Sequence, residues 1–209
     1  SLLDDYLSKI KLNVLNNYIE NHKADLIVNV ANILSSDLIL SLIGQMNEEQ
    51  YNEFITGIER YYSKEIDILE STQKVNEELL NILNLFPLTD NDFADQLLRD
   101  PTFSTVGMRQ QLKLELEKYV KATGDEEIWD LYFEFLPEDA NDKVDYVSFF
   151  NSLISRNEEY KELGINNYEE LIQQKKVLDQ KQIEISESLI LYQNAKEKAK
   201  NEYLPFSKQ

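Results

Sequence analysis

Residues 168–203, YEELIQQKKVLDQKQIEISESLILYQNAKEKAKNEY, decide the fold class of this chain. Their apolar positions alternate spacings of three and four residues over five heptads, which is typical of one face of a long helix. Lys175, Gln182 and Lys196 interrupt this face with polar side chains. A seam diluted in this way favours packing on the same chain, or on one chosen partner, over a strong homodimer. The seam residues that we predict to bind a partner are Leu171, Leu178, Ile185, Leu189 and Tyr192.

A second long helix is predicted over residues 47–85. Asn47 and Gln50 have the spacing of a capping box, in which each side chain bonds to the backbone of the other residue. The apolar ladder that follows meets no proline before Pro87, so the helix would be roughly 60 Å long at ~1.5 Å per residue. Tyr61 and Tyr62 lie on it and are further candidates for partner binding, because tyrosine is favoured at interfaces.

The chain between these two helices predicts several shorter ones. A short helix is expected after a cap at Thr89 or Asp90, and another is expected to end at Gly124. The aromatic residues that follow are predicted to form the main core, with Trp129 inside it. Before the first long helix, residues 1–46 predict a further helical segment, with one brief strand-like alternation at Leu26, Val28 and Val30.

We therefore predict an all-α protein, an elongated helical bundle with two long coiled-coil-like helices and a compact helical head. The helices at 47–85 and 167–203 would pair as an antiparallel stem. Because a buried unpaired charge is costly, Lys175 and Lys196 on the seam would need acids opposite them. The first long helix can supply Glu65, Glu70, Glu77 and Glu78. The predicted segments are an N-terminal helical segment at 1–46, a stem helix at 47–86, an acidic head at 87–164 and a second stem helix at 165–209.

Composition excludes several function classes. The chain has no cysteine and one histidine, His22, so it cannot form a disulfide, a thiolate nucleophile or a two-histidine metal site. No phosphate-binding glycine loop or G-x-S-x-G pattern occurs, and the 39 acids single out no catalytic pair. The aspartates of residues 89–95 are interpreted either as a carboxylate metal site or as helix caps. We expect no enzymatic activity, no cofactor and no metal.

The charge of −18 argues against direct binding of nucleic acid. Residues 125–164 alone carry 12 acids and 3 bases. This segment is interpreted either as a solvated face or as a surface with its own function. The candidate acidic surface consists of Asp125, Glu126, Glu127, Asp130, Glu134, Glu138, Asp139, Asp142 and Asp145.

Hydropathy predicts no membrane span, because polar residues interrupt even the most apolar window, at residues 26–43. The opening residues lack the basic region of a signal peptide. By default we expect a reducing aqueous compartment, either the cytoplasm or the nucleus.

One segment carries a family resemblance. A polar loop is preceded by apolar residues at helical spacing and followed by a pair of phenylalanines, namely Trp129, Phe133 and Leu136 before it and Phe149 and Phe150 after it. In this pattern residues 126–154 resemble an EF-hand, the helix–loop–helix calcium module, with a loop from Pro137 to Ser148 and Val144 at its eighth position.

The ligand positions of this loop depart from the family's pattern. Pro137 and Ser148 stand where the family has aspartate and a bidentate glutamate, which leaves only Asp139, Asn141 and Asp145 as oxygen donors. The resemblance therefore implies a degenerate, calcium-free module. The alternative interpretation of the same residues is an aromatic helical hairpin with a capped polar loop.

Three functions stay open at this point. The first is a non-enzymatic scaffold or adaptor subunit of a larger complex, which docks other proteins through coiled-coil-like and acidic surfaces. The second is an acidic mimic of nucleic acid that inhibits a basic DNA- or RNA-binding protein. The third is a binding module similar to an EF-hand light chain.

Overall fold

The computed structural model describes residues 44–138 and 144–201. Helices contain 78% of these residues, and none of the described residues forms a strand. The prediction of an all-α protein is confirmed for this part of the chain. The predictions for His22 and for the strand-like alternation at 26–30 lie outside the described residues.

Seven helices occur within the described ranges: α1 (Glu48–Asn84), α2 (Asn91–Arg99), α3 (Met108–Thr123), α4 (Ile128–Phe135), α5 (Tyr146–Ser155), α6 (Glu158–Glu162) and α7 (Tyr168–Asn201). None of them combines the length and the apolar character needed to cross a bilayer.

The chain divides into two compact units. Of the described residues, unit 1 contains 44–73 and 184–201, and unit 2 contains 74–138 and 144–183. Both boundaries fall inside long helices, so α1 and α7 each contribute one part to each unit. The four segments drawn from the sequence, with their boundaries at helix ends, stay a prediction.

The ends of the long and middle helices follow local sequence signals. At the start of α1, Gln50 N–H donates to Asn47 Oδ1 at 2.8 Å and Asn47 N–H donates to Gln50 Oε1 at 3.1 Å, which confirms the capping box. Helix α3 ends at Gly124, as predicted, where φ is +75° and the backbone N–H donates to Val120 at 2.7 Å. A left-handed residue at a helix end favours glycine because glycine has no Cβ.

Short helices in unit 2 begin at side-chain caps. Asp90 accepts from Phe93 N–H at 3.2 Å at the start of α2, and Asp145 accepts from Ser148 N–H at 3.0 Å at the start of α5. Such a cap satisfies one of the backbone donors that the first turn of a helix leaves unbonded.

The core of unit 2 is centred on Phe86. Its ring lies 5.4 to 6.1 Å, centroid to centroid, from four aromatic rings that come from α3, α5, α6 and α7, namely Tyr119, Phe150, Tyr160 and Tyr168. Three of these four contacts are edge-on or tilted at large angles, which is the favoured geometry of aromatic pairs. Phe86, in the turn after α1, therefore packs against residues of four other helices of its unit.

Two tyrosine hydroxyls bond to backbone near this turn. Tyr160 donates to the carbonyl of Ile82 at 3.1 Å, and Tyr168 donates to the carbonyl of Leu88 at 2.5 Å. Burial raises the pKa of both phenols far above the ordinary value of 10. Both hydroxyls therefore stay protonated and act as hydrogen-bond donors.

In unit 1, α1 and α7 share a small apolar cluster. Ile66 of α1 packs with Ile185 and Leu189 of α7. One turn earlier on α1, the ring of Tyr62 lies 5.8 Å from that of Tyr192, which is later on α7. Within this unit the contacts therefore run in opposite directions along the two helices.

Candidate functional site

Helix α4 has one face buried in the core of unit 2, and beside it a more accessible side with one half-buried and one exposed aromatic residue. Ile128, Tyr132 and Leu136 recur every four residues and are buried in the core of unit 2. Trp129 and Phe133 each lie one residue further on, where Trp129 is half-buried and Phe133 is 49% exposed. The prediction that this aromatic segment forms the core is therefore confirmed for Tyr132 and wrong for Phe133, while Trp129 packs against the core as a half-buried side chain and does not lie inside it. Trp129 and Phe133 are also four residues apart, so the spacing of the apolar residues could not have separated the two faces.

Two acids lie on α4 and two more lie next to its ends in the sequence. Glu126, Asp130, Glu134 and Glu138 are exposed, and none of them forms an ion pair with another described residue. Helical spacing places Asp130 and Glu134 on the arc next to Trp129 and Phe133. We call this set the acidic-aromatic surface: Glu126, Trp129, Asp130, Phe133, Glu134 and Glu138.

The other predicted acids have different positions. Asp125 and Glu127 both bond to Arg156, each at 3.0 Å, and these hydrogen bonds, helped by the two negative charges, raise the pKa of its guanidinium. Asp145 caps α5. Asp139 and Asp142 lie outside the described residues. The predicted set of nine acids is thus not one array of free charges, because three of its members bond within the chain.

A cation borders the acidic-aromatic surface at the end of α4. Arg109 donates from Nη1 to the carbonyl of Pro137 at 3.0 Å. Burial raises the pKa of the Tyr132 phenol, and the charge of Arg109 opposes that rise. Residues 125–138 contain six acids and no base; two of the acids pair with Arg156, and the other four leave a net negative charge near this arginine.

The predicted partner-binding residues of the long helices are largely covered by the chain itself. Leu171 and Leu178 belong to the core of unit 2, and Ile185, Leu189 and Tyr62 are buried in unit 1. Tyr61 and Tyr192 are half-buried, and their rings lie against that of Tyr62. Their binding of a partner stays a prediction. Sequence reasoning did not select two strongly exposed residues beside this seam, Ile190 and Leu191.

Lys175 does not face an acid of the first long helix, as the sequence predicted. Its Nζ donates to the backbone carbonyl of Thr89 at 2.6 Å. A carbonyl with two lone pairs accepts a lysine well at the margin of a core, so no carboxylate is required there. Lys176, one residue further, pairs instead with Asp95 at 2.5 Å.

The two metal hypotheses from the sequence concern residues 89–95 and the loop at 137–148. Asp90 is the cap of α2 and Asp95 pairs with Lys176. No group of three or more potential metal-ligating side chains occurs among residues 44–138 and 144–201. Asp139 and Asn141 of the loop lie outside these ranges, so the resemblance to an EF-hand stays a prediction.

Comparisons of this chain with protein-family models, with curated proteins and with solved structures find no match.

Proposed function

We propose that this protein is a non-enzymatic helical scaffold or adaptor subunit, and that its acidic-aromatic surface docks a basic segment of a partner protein. The observation that carries the proposal is the exposed ring of Phe133 on a helix lined by unpaired acids. Full burial of a phenylalanine is worth about 1.5 to 3 kcal/mol, and the half-exposed Phe133 forgoes roughly half of it. The like charges around it also repel one another, so a basic partner with an apolar anchor would relieve both costs.

The chemistry of the surface defines the partner. A segment with lysines or arginines spaced around leucines or aromatic residues would place its apolar side chains on Phe133 and Trp129. Its cations would meet Asp130 and Glu134 at the rim. Anchors of this kind supply most of the affinity, whereas rim charges mainly set the association rate and the salt dependence.

A mimic of nucleic acid is the weaker candidate. Such a mimic depends on an ordered array of negative charge and would have no use for an aromatic ring in the middle of it. In addition, Asp125, Glu127 and Asp145 bond within the chain, which reduces the array. Coiled-coil docking is a further part of the proposal. The exposed Ile190 and Leu191, which lie beside the buried seam in unit 1, support it.

A single intrinsic probe makes the proposal testable. Trp129 is the only tryptophan of the chain and belongs to the acidic-aromatic surface, so its fluorescence reports on occupancy there. The full chain is titrated with a basic amphipathic peptide of alternating lysine and leucine turns, and with a glutamate-for-lysine version of that peptide. We expect a saturable shift of Trp129 emission with the basic peptide alone, and weaker affinity as salt is added.

Matched variants distinguish binding at this surface from non-specific binding of the peptide elsewhere on the protein. Phe133→Ser removes the anchor, and Leu114→Ser removes an equally exposed apolar side chain (54%) from α3. We expect the first variant to weaken peptide binding about tenfold or more and the second to leave it unchanged. Equal loss in both variants, or an emission shift that never saturates, would remove this surface from the proposal. Binding that needs only charge and survives Phe133→Ser would favour the mimic instead.

A further inference from the structure

Helix α3 is basic, although the net charge of the chain is −18. It contains four bases and two acids, and among residues 44–138 and 144–201 it is the only helix with more bases than acids. Its three lysines are exposed. Of its two acids, Glu115 is half-buried and accepts from the N–H of Leu88 at 3.5 Å, whereas Glu117 is exposed. The positive charge of this helix therefore lies on its solvent side.

An exposed leucine lies at the centre of that side. Helix α3 buries Leu112 and Leu116 in the core, and Leu114, half a turn from each of them, is 54% exposed. Lys118 and Lys121 follow Leu114 by four and seven residues, so the three side chains share one arc of the helix. Neither lysine forms an ion pair with another described residue. We call Leu114, Lys118 and Lys121 the basic-leucine face.

This face has the chemistry that the acidic-aromatic surface requires of a partner. Each of the two has an apolar side chain about half-exposed to solvent, Leu114 on α3 and Phe133 on α4. The charges beside the leucine are positive, and those beside the phenylalanine are negative. Contact between the two would bury both apolar groups and neutralise both sets of charges. Because both belong to one chain, every copy of the protein carries a partner for every other copy.

The spacing of the charges also matches when the two helices run antiparallel. Asp130 precedes Phe133 by three residues, and Glu126, in the turn before α4, precedes it by seven. At ~1.5 Å per residue, these acids lie about 5 and 10 Å from the level of the phenylalanine. Lys118 and Lys121 lie about 6 and 10 Å beyond the leucine of their own face. With that leucine on Phe133, an antiparallel approach sets each lysine level with one acid.

We infer that the partner of the acidic-aromatic surface is a second copy of this chain, whose basic-leucine face docks antiparallel on α4. Its leucine packs on Phe133, and its two lysines meet Asp130 and Glu126. The inference rests on the proposed function, because it names the partner of the same surface. Contacts of this kind either close as a dimer, in which both copies exchange the two surfaces, or continue as a chain of copies.

The net charge of the protein opposes this contact mainly at long range. Two copies with a charge of −18 repel each other. At 0.15 M salt, exposed charges further apart than about 8 Å are largely screened, whereas ion pairs across a direct contact are screened less. One apolar anchor with two ion pairs still forms a small interface, so we expect association that depends on protein concentration.

Reversal of the charges tests the inference on the full chain. One variant carries Lys118→Glu and Lys121→Glu, and the other carries Glu126→Lys and Asp130→Lys. Each variant opposes like charges at the contact, so each alone should stay monomeric in sedimentation velocity where the wild type associates. An equimolar mixture of the two variants should associate again, because each reversed surface then meets one of opposite charge.

Two further variants show whether the basic-leucine face is responsible. Leu114→Ser removes the anchor and should weaken the association about tenfold or more. Lys74→Glu with Lys181→Glu changes the total charge as much as the α3 reversal does, at exposed lysines of α1 and α7. This control should associate like the wild type. Helical ellipticity checks the folding of each variant, and if one reversal unfolds, the other reversal and Leu114→Ser still decide.

Three results would overturn the inference. The wild type would remain monomeric at about 1 mM protein, a reversal would leave its association unchanged, or the mixture of folded variants would stay monomeric. The first two results would leave an external partner or another surface, and the third would mean that the reversals act elsewhere than at this contact.

Failure of this inference is distinguishable from failure of the proposed function. The peptide titration followed by Trp129 emission is run at a protein concentration where the chain is monomeric. If the peptide binds and the chain does not self-associate, the proposed function stands and the partner is another protein. If the charge reversals control self-association but no basic peptide binds, the second copy is the partner and docking of a foreign basic segment is wrong.

Discussion

Tyr168 donates its hydroxyl hydrogen to the carbonyl oxygen of Leu88 at 2.5 Å, although 80 positions separate the two residues in the sequence. Both residues are buried, and the acceptor belongs to Leu88, whose φ of +56° is unfavourable for a residue other than glycine. This bond holds the start of α7 to the turn after α1 within unit 2. It therefore holds the carbonyl group of Leu88 in place, although the backbone conformation of that residue is itself unfavourable.

Removal of this hydroxyl should destabilise the protein. We expect Tyr168→Phe to lower the free energy of unfolding by about 1 to 3 kcal/mol, because the Leu88 carbonyl would stay buried without a donor. Denaturant unfolding followed by circular dichroism measures the loss. Tyr132→Phe is the control, because Tyr132 is also buried in this core but its hydroxyl bonds to no described residue. Equal losses in the two variants would contradict the assigned role of the bond.

Alkaline pH should unfold this protein through its buried phenols. The pKa values of Tyr160 and Tyr168 are raised, mainly by burial, so the folded state keeps protons above pH 10 that the unfolded state releases. The free energy of unfolding then falls as pH rises above 10, by about 1.4 kcal/mol per pH unit for each such tyrosine. Tyr168→Phe should reduce this slope by one tyrosine's share. If the free energy of unfolding stays constant from pH 9 to pH 11, folding does not raise the pKa of either phenol.

The seam of α7 can be tested with two leucines that are two residues apart. Leu189 is 9% exposed in the unit 1 cluster, whereas Leu191 is 66% exposed. We expect Leu189→Asp to cost about 3 kcal/mol, because it buries an unpaired charge, and Leu191→Asp to change stability by less than about 0.5 kcal/mol. Thermal melts followed by helical ellipticity would measure both effects. If Leu189→Asp melts like the wild type and only changes the oligomeric state, the seam joins separate chains.

Glu115 should destabilise the unliganded protein at neutral pH. Its pKa is raised by burial, so the folded state prefers the protonated carboxyl and is penalised at pH values above that pKa. We expect Glu115→Gln to increase the free energy of unfolding at pH 7 by less than about 1 kcal/mol, since a partly exposed carboxylate is screened by solvent. The gain should vanish as pH falls below the ordinary value of 4.5, where the wild-type carboxyl is neutral in both states. Glu117→Gln should show no gain at any pH.

Features set by neighbouring residues could be predicted from the sequence. The capping box at Asn47 and Gln50, the stop at Gly124 and the cap at Asp90 all depend on bonds across three or four positions. Such bonds follow from the residue types and their spacing alone. The helical class of the described residues was predictable for the same reason, because hydrophobic periodicity is a local pattern.

Features that depend on distant residues could not be predicted in this way. Periodicity identifies Phe133 as apolar but does not say which arc of a short helix the core covers, so its exposure was missed. The hydrogen-bond partner of Lys175 is a backbone carbonyl 86 positions away, and the types of the two residues do not indicate this pairing. The burial of Glu115, which raises the pKa of its carboxyl, likewise arises only after α3 and the turn at Leu88 have come together.

The aromatic cluster around Phe86 has a consequence for how unit 2 is made during translation. The ring of Phe86 contacts residues of α6 and α7, which are synthesised much later than Phe86. The hydrogen bonds of Tyr160 and Tyr168 close loops of 78 and 80 positions. Closing these loops costs conformational entropy before the contacts can form, so the contacts form late and together. A nascent chain that ends before Tyr160 would hold Phe86 and Phe150 without their cover, as a species for chaperones to protect. Unit 2 would then acquire its stability in one step, only after its last helix has left the ribosome.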